Sequence, residues 1–82
     1  MRRTEEGDRL IKSATAGYET LLARHPAAFY DHAARFYLHV VGDPKRALVL
    51  ARKNLAIRQT PDARDLVAEA ERATTATAAF SP

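Results

Sequence analysis

The chain reads as all-α, a short series of antiparallel helical hairpins. Three observations predict this. Alanine is abundant and β-branched residues are few, which favours helix over sheet. Apolar residues recur at spacings of three and four instead of alternating. Helix stop and start signals sit close together, as in Gly42-Asp43-Pro44 and Thr60-Pro61.

The first helix is expected over about residues 5–24. Thr4 can cap it, and Glu5, Glu6 and Asp8 suit the positive end of its dipole. Leu10, Ile11, Ala14, Tyr18, Leu21 and Leu22 share one arc, the pattern of an amphipathic helix packed on a core. Gly17 lies at the edge of that arc. It is either incidental or kept for the close approach of a neighbouring helix. The helix ends near Arg24, because His25 precedes Pro26 and a residue before proline avoids helical dihedrals.

The second helix is expected over about 27–41. Phe29, Tyr30, Ala33, Ala34, Phe36, Tyr37, Leu38, Val40 and Val41 cover most of its girth. A helix this apolar packs on more than one side, so it should be the central one. Only Asp31, His32, Arg35 and His39 form a polar strip, and Asp31 and Arg35 are spaced to pair.

Gly42 suits a left-handed helix end, Asp43 an N-cap and Pro44 the first position of a third helix over about 44–58. Ala47, Leu48, Leu50, Ala51, Asn54 and Leu55 fall on its inner face. Lys45, Arg46, Arg52 and Lys53 fall on the opposite one. Thr60 and Pro61 open a fourth helix over about 61–73, with Ala63, Leu66, Val67, Ala70 and Ala73 as its apolar stripe. Residues 1–73 are thus read as a single small domain. The stretch 74–82, rich in threonine and alanine and poor in large apolar residues, is read as a disordered tail.

Composition narrows the function classes. The formal net charge is only +3, with 13 basic side chains set against 10 acidic ones, and this is weak grounds for nucleic-acid binding. The absence of cysteine excludes disulfides, thiolate metal sites and cysteine nucleophiles; it fits a reducing compartment, and a cytoplasmic location is expected. No apolar run follows Arg2 and Arg3, so no secretory signal is expected, and no run is long enough to span a membrane. His25, His32 and His39 recur every seven residues. His32 and His39 would stand about 10 Å apart along a helix, too far to share a metal ion. Asp65 and Glu69 read as solvated carboxylates. No phosphate loop, metalloprotease motif or paired nucleophile and base is present, so neither catalysis nor a cofactor is expected.

Alternate helices repeat. Ala14 and Ala47, Leu22 and Leu55, Tyr30 and Ala63, Ala33 and Leu66, and Tyr37 and Ala70 are all separated by the same offset, 33 positions. Tyr30-x-x-Ala33-Ala34-x-x-Tyr37, the Gly42-Asp43 turn and Ala47-x-x-x-Ala51 together resemble one tetratricopeptide repeat. Ala14-x-x-x-Tyr18 with Pro26 resembles the second half of a preceding repeat, and Ala63-x-x-Leu66-Val67-x-x-Ala70 the first half of a following one. The resemblance spans about residues 8–73. It departs from the family pattern in having no tryptophan, in Val67 where a small residue is usual and in Ala51 where an aromatic is usual.

The resemblance implies a right-handed superhelical solenoid segment that binds another protein or a peptide along its concave face. On this register Asp31, Arg35, Leu38 and His39 line that face, the same strip that periodicity leaves unburied. A plain surface ion pair between Asp31 and Arg35 is the simpler reading of those two residues. Such arrays normally need about three repeats, so this chain is expected either to belong to a longer array or to cover its end helices by forming a homo-oligomer. The alternative function is a nucleic-acid or polyanion-binding domain that uses Lys45, Arg46, Arg52 and Lys53.

Overall fold

A computed structural model describes residues 4–79. Four helices follow one another: α1 (Glu5–Arg24), α2 (Pro26–Phe36), α3 (Pro44–Ile57) and α4 (Pro61–Ala79), with a five-residue π turn, Tyr37–Val41, continuing α2. No strand occurs among the described residues. The links between helices are His25 alone, Gly42-Asp43 and Arg58–Thr60, so each helix doubles back on the one before it.

Three of the four helix starts are capped by short polar side chains. Thr4 Oγ1 accepts from the Gly7 N–H at 3.0 Å, Asp43 Oδ1 from the Arg46 N–H at 3.1 Å, and Thr60 Oγ1 from the Ala63 N–H at 3.1 Å. Each cap satisfies one of the amides that a helix start leaves without an internal partner. The end of the second helix departs from a regular α-helix. Its last turn widens, and the Gly42 and Asp43 N–H groups both donate to the Tyr37 carbonyl, at 3.0 and 2.8 Å. Gly42 closes the turn at φ 79°, a left-handed conformation that costs a side-chain-bearing residue about 1–2 kcal/mol.

α2 is the central helix, packed against α1 and α3 and touching α4. Ala33, Ala34, Ala47, Ala51 and Ala70 are fully buried. Having no side chain beyond Cβ, they let the helix axes approach closely, while Leu22, Tyr37, Leu50 and Leu66 fill the space between. Rings stack along the seam between α1 and α2: Tyr18 and Phe36 have centroids 4.7 Å apart, and Phe36 meets Tyr37 edge-on at 5.6 Å. The described residues span 38 × 33 × 18 Å.

Two expectations are corrected, and the choice at Gly17 is decided. First, α4 continues to Ala79, past the end expected at Ala73, so 74–79 are helical; 80–82 lie outside the described residues. Alanine is the best helix former, and two of the three threonine hydroxyls in this stretch bond within the helix. Thr74 donates to the Ala70 carbonyl at 2.8 Å and Thr77 to the Ala73 carbonyl at 2.9 Å. Second, Leu10 does not enter the core. It is 66 % exposed, Ala14 is exposed too, and Leu22 is the one buried residue of α1. Leu10, Ala14, Gly17 and Leu21 form one line along the helix, and Leu22 is turned about 100° away from Leu21, toward α2. α1 has a partner on that second side only. Of the two readings of Gly17, the incidental one fits, since a Cβ built there meets nothing within 4 Å. Gly17→Ala is therefore expected to stabilise the helix by about 1 kcal/mol and to raise Tm by roughly 4–8 °C in dilute solution, as read by a circular-dichroism melt.

Candidate functional site

The polar strip of α2 runs on beside α4. Asp31 and Arg35 sit one turn apart, with Asp31 Oδ2 3.5 Å from Arg35 Nη1; Asp31 Oδ1 also accepts from the His32 N–H at 2.8 Å. One turn further, His39 reaches across to α4, where its Nε2 lies 3.2 Å from Glu69 Oε2. All four side chains keep a third or more of their surface exposed. Exposed pairs of this kind contribute about 0–1 kcal/mol each, so they hold the fold only weakly. Leu38 is placed differently from its three companions. It is half-buried and packs against the core, so most of its apolar surface is already engaged. The face therefore comprises Asp31, Arg35, His39 and Glu69, drawn from two helices. Sequence periodicity marks Glu69 only as an outward residue of α4; its pairing with His39 depends on how α4 leans on α2.

The second candidate face divides. Arg46 and Arg52 point about 120° apart around α3. Arg46 turns toward α1, where its Nη2 donates to both Glu19 carboxylate oxygens, at 2.9 and 3.1 Å, and its guanidinium lies 5.7 Å from the centre of the Tyr37 ring. It is half-buried. Arg52 turns toward α4 and meets Glu71 Oε2 at 3.3 Å. Lys45 and Lys53 remain exposed. The expected continuous basic face is thus replaced by two separate flanks, with both arginines already neutralised by carboxylates. The physical reason is reach: a residue at the border of the buried arc extends its long stem to whichever neighbour carries an opposite charge.

Glu19, Tyr37 and Arg46 form a polar cluster joining α1, the end of α2 and α3. The Tyr37 hydroxyl donates to Glu19, with Arg46 on the same carboxylate. The Tyr37 hydrogen bond, helped by Arg46, holds the Glu19 carboxyl below its ordinary value of 4.5. Burial, and then the adjacent Glu19, push the Tyr37 phenol above its ordinary value of 10.0. Next to this cluster a cleft of about 270 Å³ is lined by Leu22, Pro26, Tyr30, Leu50 and Lys53 together with Glu19 and Arg46. Glu19 and Arg46 are already matched to each other, which leaves Lys53 as the charged side chain of the cleft without an ion pair among the described residues. Among the described residues no three His, Asp or Glu side chains stand close enough to hold a metal ion. No helix among them is long and apolar enough to cross a membrane.

Comparison with models of known families, with curated proteins and with solved structures finds no match to this chain.

Proposed function

We propose that the chain is a protein-binding module of the tetratricopeptide-like kind, taking a peptide segment across the face shared by α2 and α4. The observation that supports this reading is the run of Asp31, Arg35, His39 and Glu69. These charges of both signs lie along two neighbouring helices and are committed only to exposed ion pairs. A peptide carboxylate can displace Asp31 from Arg35, and a peptide cation can displace His39 from Glu69, at little cost to the fold. The serial doubling-back of the helices and the 33-residue offset between alternate ones agree with such a module. On this reading the ligand is another protein; no reaction and no cofactor are assigned.

Peptides selected from a displayed random library against the purified chain provide the test. Arg35→Glu is expected to weaken their binding by about tenfold or more, equivalent to about 1.4 kcal/mol, whereas Arg52→Glu leaves it unchanged. Peptides indifferent to Arg35→Glu would remove this face. If instead the chain binds duplex DNA with an affinity that falls steeply with salt and is lost in Lys45→Glu, the polyanion reading takes its place.

A further inference from the structure

We propose that two copies of the chain pair through α1, running antiparallel, along the line of Leu10, Ala14, Gly17 and Leu21. This line is the outer side of an end helix. Leu10 is 66 % exposed, Ala14 and Gly17 are exposed, and nothing lies within 4 Å of a Cβ at Gly17. Two leucines bracketing two small residues leave a shallow groove into which a second helix fits closely. The outward side of the other end helix, α4, carries Arg64, Asp65, Glu71 and Arg72 and has no comparable apolar line.

The charges beside the line choose the occupant and its direction. Glu6 and Arg24 lie on the same flank of the stripe, at opposite ends of α1, about 27 Å apart at 1.5 Å per residue. Neither takes part in an ion pair among the described residues. A two-fold axis across the helix sets each residue against one at the mirrored position of the other copy, on the same flank. Glu6 then meets Arg24 of the second copy, and Arg24 meets its Glu6. The same operation brings Leu10 onto Leu21 and Ala14 onto Gly17, in a register that agrees with the charge pairing to within one residue. A parallel pairing would keep Glu6 and Arg24 at opposite ends of the seam, so neither would meet its opposite charge.

Sedimentation velocity of the full chain over a range of concentrations tests the proposal. The expected result is a monomer–dimer equilibrium. Leu10→Arg raises its Kd by roughly a hundredfold, because the arginine meets an apolar line. Glu6→Arg and Arg24→Glu each raise it by about tenfold, and the two combined restore it. Circular dichroism of each variant separates dissociation from unfolding; all three positions are exposed, so helicity is expected to persist. A chain that stays monomeric throughout overturns the proposal, as does a dimer that ignores Leu10→Arg. Failure of the double charge exchange to restore pairing overturns the antiparallel arrangement. The pairing surface lies on a different helix from the proposed peptide face, so each result stands apart from the other.

Discussion

Leu50→Ala is expected to unfold most of the population near physiological temperature. Leu50 is 2 % exposed and is the largest fully buried side chain among the described residues. It sits on α3 in the same core cluster as Leu22 of α1, with Tyr30 of α2 packed against that cluster. Truncating a buried leucine costs about 2–5 kcal/mol, the loss of transfer free energy plus the cavity left behind. A core of this size supplies only about 3–5 kcal/mol of net stability, so one substitution removes most of it. The alanines around the site cannot collapse into the hole, because they have no further atoms to move. The adjacent Val49 is the control. It is 45 % exposed, and Val49→Ala is expected to change stability by less than about 0.5 kcal/mol. Urea unfolding of the two variants measures both values. Similar midpoints for the two would mean that α3 does not present Leu50 to the core.

Glu19→Ala should destabilise the chain by about 1–3 kcal/mol, because it leaves the Tyr37 hydroxyl and the Arg46 guanidinium without their acceptor. Tyr37 is 5 % exposed, but Glu19 borders the cleft, so water entering the vacated place sets the lower end of that range. The substitution should also flatten the dependence of stability on pH. In the folded chain the Glu19 carboxyl titrates below its ordinary 4.5, held there first by the Tyr37 hydrogen bond and then by Arg46. A depressed carboxyl contributes stability above its unfolded value and loses it as pH falls through the folded one. The wild-type chain should therefore weaken on acidification below about pH 4.5. Tyr37 works in the opposite sense. Burial and Glu19 raise its phenol above 10.0, so its contribution is complete below pH 10.0 and is lost as pH rises through the higher folded value. Melting curves of wild type and Glu19→Ala at several pH values should converge at low pH. Parallel curves across that window would show that the cluster contributes nothing to the linkage.

Much of the fold is legible in local chemistry. Asp43 before Pro44 and Thr60 before Pro61 mark two helix starts to the residue, since a short side-chain oxygen and a missing N–H each satisfy a need particular to that end. The girth of apolar residues on Phe29–Val41 marks α2 as central before any neighbour is located. The widened turn at Tyr37–Val41 carries no comparable signal: its residues are equally at home in an α-helix, and the extra width arises where the chain must reach Gly42. The candidate face is legible in part. Asp31 and Arg35 declare themselves by spacing, but Glu69 joins His39 only because α4 rests against α2.

The helical identity of the chain, the order of its elements, the caps and the central place of α2 follow from the amino-acid sequence alone, because each depends on groups within a turn or two of one another. The tertiary structure alone decides that Arg46 leaves the solvent side of α3 for Glu19 and Tyr37, that the basic face splits, and that Leu10 and Gly17 stay uncovered. Helical periodicity tells which way a side chain points; what stands opposite it is settled only when distant helices meet.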